Sequence, residues 1–160
     1  KDYEGRATVL WDGQKRELKD LKLEDWSIMR QSKLSIIFQD LRLFPQLTAI
    51  ENIRLKNDLT NHKTEAEIES MAKRLGVMEF LERKAGILSY GQRQRMAIIR
   101  AMCQPFELLL MDEPFSHLDA DNIDKCCQLI SEECAAQKSG YMIASLGDKY
   151  HFKYDRIIQL

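Results

Sequence analysis

The run Leu108-Leu109-Leu110-Met111-Asp112-Glu113-Pro114 constrains the fold most. Four successive apolar residues leave no polar face, as expected of a strand covered on both sides of a parallel sheet. The carboxylates that follow then sit at the strand's carboxyl end, where open α/β sheets form their ligand crevice. Successive side chains point to opposite sides of a strand, so Asp112 and Glu113 have separate surroundings and can take separate jobs. Asp112 suits a Mg2+ ion held mainly through its water shell, since that hard cation prefers oxygen. Glu113 suits orienting or deprotonating an attacking water. Taken alone, Asp-Glu reads more readily as a solvated acidic strand end; the apolar run before it and the Pro after it reverse that preference.

The rest of the chain alternates strand and helix signals. Ala7 to Trp11 reads as a short strand closed by Asp12-Gly13, Leu18 to Arg30 as loop plus a short helix, and Ser35 to Phe38 as a strand. From Thr48 to Phe80 apolar residues recur at three- and four-residue steps (Ile50, Ile53, Leu55, then Ile68, Met71, Ala72, Leu75), which is helical periodicity. Thr64 with Glu67 three residues on reads as a capped start, and Gly76 as a stop. Ser89 opens another long helix that ends before Pro105, and a helix from about Asp121 to Gln137 turns Ile123, Cys127, Leu129 and Ile130 inward. Tyr141 to Ser145 and Arg156 to Leu160 read as two more strands. The expected fold is α/β, with a parallel sheet of the P-loop NTPase-like kind and an inserted α-helical subdomain over residues 48–104.

Composition removes other classes. Hydrophobic residues at 44% support a packed core, and 24 Lys+Arg against 25 Asp+Glu leave a net charge of −1. That balance argues against a dedicated nucleic-acid binder. No run approaches the roughly 20 apolar residues of a membrane span. The four cysteines lack C-x-x-C spacing and read as buried, idle thiols.

A second chemical signal lies at Leu88-Ser89-Tyr90-Gly91-Gln92-Arg93-Gln94-Arg95. A Ser at a helix start, with Gly two residues on, exposes backbone N–H groups at the positive end of the helix dipole, which suits an anion. An ordinary Ser N-cap accounts for the same residue. Gly86 to Gly91 has the glycine spacing of a P-loop, but Gln92 and Arg93 stand where Lys and a hydroxyl residue belong, and no other segment carries G-x-x-x-x-G-K-[ST]. Arg93, Arg95 and Arg100 read as a solvated helix face, with phosphate or an acidic partner as the sharper alternative. His62 reads as a solvated surface residue.

Together these segments resemble the ATPase subunits of ATP-binding cassette (ABC) transporters. Leu88 to Gln92 is similar to the Leu-Ser-Gly-Gly-Gln signature, and Leu108 to Pro114 to the Walker B strand with its catalytic Glu. Phe38-Gln39-Asp40, followed by Leu43 to Thr48 and Glu51-Asn52-Ile53, resembles the Q-loop and its sequel, and Ser116-His117-Leu118-Asp119 the D-loop. The four motifs appear in family order and cover nearly the whole chain. The run Gln39 to Asn52 is most similar to the lipoprotein-release and macrolide-export branch.

The resemblance implies roles. Gln39 would sense Mg2+ and the γ-phosphate of ATP. Ser89, Gly91 and Gln92 would contact ATP held by the opposite subunit of a head-to-tail homodimer or heterodimer. Asp112 would support Mg2+, Glu113 would act as general base, and Asp119 would connect the two composite sites. The implied partners are a transmembrane permease subunit and a second ATPase subunit, with no nucleic acid, and the implied location is the cytoplasmic face of the inner membrane. Two other readings are a soluble ABC ATPase acting on DNA or ribosomes, and a non-catalytic docking module.

Three departures accompany the resemblance. No P-loop strand, loop or helix is present, so residues 1–160 read as a partial ABC ATPase domain, N-terminally truncated and inactive alone. Tyr90 stands at the first Gly of the signature. Counting back from Asp155-Arg156, the family's switch His falls at Ser145-Leu146-Gly147, so Leu146 replaces it; His151 lies too far along.

Overall fold

A computed structural model describes residues 5–11, 13–146 and 150–158, with the backbone alone for Trp11. Strands β1 (Thr8–Trp11) and β2 (Gln14–Glu17) pair as an antiparallel hairpin. The β2 segment, Gln-Lys-Arg-Glu, carries no apolar alternation, so the sequence reading places no strand there; it pairs as an exposed edge strand instead. A 3-10 turn at Leu18–Asp20, helix α1 (Leu23–Ile28) and a π-helical turn at Met29–Lys33 lead into β3 (Leu34–Ile37).

Helices α2 (Ala49–Asn57), α3 (Glu65–Arg74) and α4 (Tyr90–Met102) follow, then β4 (Leu108–Asp112), α5 (Ala120–Gln137) and β5 (Gly140–Ala144). The three later strands form a parallel sheet in the order β3-β4-β5, with Ile37 opposite Met111 and Asp112 opposite Ala144. The α/β class and the parallel sheet thus match expectation. Residues 156–158 form no strand: β5 is the sheet edge, and Ile157 and Ile158 stay exposed. The remainder of that expected strand, 159–160, lies outside the described residues.

Local chemistry explains the helix boundaries. α2, α3 and α4 each begin with a reciprocal capping box: Thr48 with Glu51, Thr64 with Glu67, Ser89 with Gln92. The N–H groups of Thr48 and Thr64 hold the Glu51 and Glu67 carboxyls below the usual carboxylate range. Gly76, at φ +63°, supplies the left-handed turn that follows α3. Leu55, expected inward, is 42% exposed on the outer face of α2.

One core joins sheet and helices. Ile37, Leu109 and Met111 pack with Ile53, Ile68, Met96, Ile99 and Ile130, and full burial of each such side chain contributes about 1.5–3 kcal/mol. Ser35 is buried on the same sheet face and donates its hydroxyl to the Ala101 carbonyl of α4 at 2.9 Å. Leu108 and Leu110, on the opposite face, remain half-buried, so the described residues cover β4 fully on one side only. All four cysteines are free and buried, and burial pushes the Cys103 and Cys126 thiols up to about 12. Among the described residues no helix is long and apolar enough to cross a membrane.

Candidate functional site

The parallel sheet delivers its expected site residues together. Gln39 follows the carboxyl end of β3, Asp112 and Glu113 close β4, and Leu146 follows β5. This is the sheet edge at which open α/β folds bind ligands. Gln39 and Asp112 are both exposed, and neither side chain has a hydrogen-bond partner among the described residues. Those residues hold no cluster of three or more His, Cys, Asp or Glu side chains. A single free carboxylate suits Mg2+, which keeps several waters and takes further oxygens from a phosphate rather than from a protein cage.

Glu113 is the strained member. Its φ is +43°, a left-handed conformation that costs a non-glycine residue roughly 1–2 kcal/mol. Three bonds hold it there. Its N–H donates to the Ala144 carbonyl at 3.0 Å, and its carbonyl accepts the Gln94 side-chain amide at 3.3 Å. Its carboxylate Oε1 accepts the N–H of Leu146 at 2.6 Å. The structure therefore brings the backbone of position 146 against the carboxylate, a contact that the count from Asp155-Arg156 does not foresee. The Leu146 side chain is 95% exposed and offers that carboxylate no proton or donor. His151 lies elsewhere, its Nδ1 2.7 Å from Asp124 Oδ1 on α5; Gly147 is outside the described residues.

At the start of α4, Ser89 Oγ accepts the Gln92 N–H at 3.2 Å and Gln92 Oε1 accepts the Ser89 N–H at 2.9 Å. Both side chains are thus engaged in the helix cap, with the Ser89 hydroxyl proton left to donate. Gly91 has a packing reason for its identity: a Cβ there would meet the His117 carbonyl oxygen at 3.0 Å. The segment Ser116 to Asp119 presses directly on the first turn of α4. Asp119 caps α5, accepting the Asn122 N–H at 2.9 Å, a bond that holds its carboxyl below the usual range. His117 bonds Ser116 Oγ through Nδ1 at 2.9 Å.

The arginines of α4 are not a solvated face. Arg95 donates to the Leu75 carbonyl at 2.8 Å and to Asn122 Oδ1 at 2.9 Å, joining the end of α3 to the cap of α5. Arg100 binds the carbonyls of Leu41 and Arg42, and Arg93 lies 5.2 Å from the Tyr90 ring centroid. Each basic group finds a carbonyl or ring within reach, which helix spacing alone does not reveal. His62 is likewise half-buried, with Nε2 enclosed and lacking a partner, and burial lowers its pKa.

Two buried polar residues lie within the quoted motif runs but are given no role by the sequence reading. Gln94, fully buried, donates to the Glu113 carbonyl and accepts the His117 N–H, both at 3.3 Å. Asn52, also fully buried, accepts the Phe44 N–H at 2.7 Å and returns its amide to the Phe44 carbonyl at 3.0 Å. The available signal was a polar residue on the apolar stripe of each helix.

Comparison with known proteins agrees with this geometry. The sequence profile of the ABC transporter family matches residues 3–116. The thiamine import ATP-binding protein ThiQ of Haemophilus ducreyi is 35% identical over 132 residues, covering 79% of this chain and 62% of that protein. The glucose import ATP-binding protein GlcV of Saccharolobus solfataricus is 42% identical over 105 residues, covering 62% of this chain and 29% of that protein. The chain thus spans less than two thirds of either relative. MJ0796, a bacterial ABC transporter cassette solved as a dimer, superposes with a TM-score of 0.68 at 27% identity, over 79% of this chain and 58% of that one. Its post-hydrolysis dimer bound to ADP and Pi gives 0.69 at 28% identity, over 85% and 61%. Motif order, the parallel sheet and these matches lead to one conclusion: the chain belongs to the ABC transporter ATPase family.

Proposed function

We propose that this chain is the Walker B, signature and D-loop portion of an ATP-hydrolysing transporter subunit that works beside a membrane permease on the cytoplasmic face of the inner membrane. Gln39 and Asp112 would serve Mg2+ and the γ-phosphate of ATP. Glu113 would act as general base on the attacking water. Ser89, Gly91 and Gln92 would meet the nucleotide of a second ATPase subunit, and Asp119 would link the two sites. Residues 48–104 would form the helical subdomain that carries the signature. The observation that carries this reading is that Gln39, Asp112, Glu113 and position 146 lie at or just past the carboxyl ends of three adjacent parallel strands.

The MJ0796 dimer supports a second ATPase subunit as partner. Relatives named as thiamine and glucose import proteins support an importer, whereas the run Gln39 to Asn52 is what supports the lipoprotein-release and macrolide-export branch. These 160 residues hold no P-loop Lys, so the chain by itself is expected to turn over no ATP.

The test is ATP hydrolysis by the full-length protein and its Glu113→Gln variant. A positioned general base is worth roughly 100- to 10,000-fold, so turnover is expected to fall by that factor with ATP binding retained. Equal rates for the two proteins would remove Glu113 from the mechanism.

A further inference from the structure

The segment from Phe38 to Phe44 has a backbone shape that its own residues do not explain. Leu41 and Arg42 have φ of +61° and +48°, and neither is Gly or Asn. Each such residue costs roughly 1–2 kcal/mol. The Arg42 N–H returns to the Asp40 carbonyl at 2.7 Å, an i to i+2 bond about a residue of positive φ, which is the rare and strained hand of γ-turn. Strain of this kind persists only where the surroundings over-determine it.

Those surroundings are side chains of α4. The Tyr90 hydroxyl donates to the Gln39 carbonyl at 2.6 Å. Arg100 spans two consecutive carbonyls with one guanidinium, Nη2 to Leu41 and Nη1 to Arg42, each at 2.6 Å. A planar fork suits that pair of acceptors in a way that a Lys ammonium does not. Tyr90 is itself held in place: its ring centroid lies 4.0 Å from that of His117, and the Arg93 guanidinium sits over the ring. The hydroxyl that reaches Gln39 therefore has little freedom to point elsewhere. Leu41 is 3% exposed, so its side chain also anchors the loop.

We infer that Tyr90 is a positioning residue, a strut that fixes the backbone of Gln39 to the first turn of α4, while Arg100 holds the strained bend beyond it. Tyr90 directly follows Ser89. On the functional reading proposed above, Gln39 serves the nucleotide of its own subunit and Ser89 that of the opposite subunit. The strut then passes displacement between two nucleotide sites through one hydrogen bond, at a position where the family signature carries Gly.

Hydrogen exchange of the 160-residue chain, read by mass spectrometry without nucleotide, tests the strut. Tyr90→Phe keeps the ring against His117 and removes only the hydroxyl. Exchange in peptides covering 38–44 is expected to rise about five- to tenfold, the effect of one lost hydrogen bond. Peptides covering 108–116 and the thermal midpoint should stay near wild type. Arg100→Lys should raise exchange at 41–44 and leave 108–116 unchanged. Unaltered exchange at 38–44 in Tyr90→Phe overturns the strut, and so does a rise spread evenly along the chain with a falling midpoint. Because no nucleotide is present, failure here leaves the Glu113→Gln assay to decide the functional reading separately.

Discussion

Gln94 illustrates how one buried polar side chain can set the geometry of a site it does not enter. Its amide holds the Glu113 carbonyl and its oxygen accepts the His117 N–H, so the strained glutamate and the following loop share one anchor. Replacing it with Met keeps the volume and removes both partners. A buried donor or acceptor left unmade costs about 1–3 kcal/mol. Gln94→Met is therefore expected to lower unfolding free energy by about 2 kcal/mol in urea denaturation, with the m-value unchanged. A loss below about 0.5 kcal/mol, the range of ordinary surface changes, would mean that water satisfies those groups instead. At this scale the strand-end positions were legible in the sequence: Asp112 closes β4, and Gln39, Glu113 and Leu146 come just after strands. Gln94, Arg95 and Arg100 were not legible, because each acts on a carbonyl or amide at least 19 residues away in sequence. Such partners become neighbours only through tertiary packing.

Among the elements, the helices were the easiest to read and the second strand of the first hairpin the hardest. Thr64, Ser89 and Gly76 mark boundaries through local rules that need no distant partner, whereas β2 is a polar strand defined by its pairing with β1. The segment between α2 and α3 shows what local rules omit. His62 looks like a polar loop residue, yet its Nε2 is enclosed without a partner, and burial holds its pKa below the usual 6.5. The native chain thus binds fewer protons at this site than the unfolded chain once pH drops below about 6.5. Stability is full above that value and is lost as pH falls toward the depressed native pKa. The unfolding midpoint is expected to decline between pH 7 and pH 5, and His62→Gln should flatten the decline. Parallel slopes for wild type and variant would assign the acid sensitivity to other groups.

At the scale of the molecule, two apolar clusters of unequal size divide the chain. The large one unites the parallel sheet with α2 to α5. The small one buries only Leu21 and Met29 fully, with Val9, Leu18, Trp26 and Leu34 packed around them. The β1-β2 hairpin forms its own two-stranded sheet, separate from the parallel one. A two-stranded hairpin on so small a cluster is marginal by itself and belongs to the low-stability end of local opening. The sequence places both tryptophans, Trp11 and Trp26, in this part, while nearly all the helix lies in the other. Trp26 packs on the small cluster, so in a Trp11→Phe background fluorescence reports that cluster and far-ultraviolet circular dichroism the large one. In urea, fluorescence is expected to change at lower concentration than the helical signal, with the site-bearing sheet edge still folded between the two midpoints. Coincident transitions would indicate a single cooperative unit, with the small cluster drawing its stability from the parallel sheet through Leu34 of β3, which packs against it.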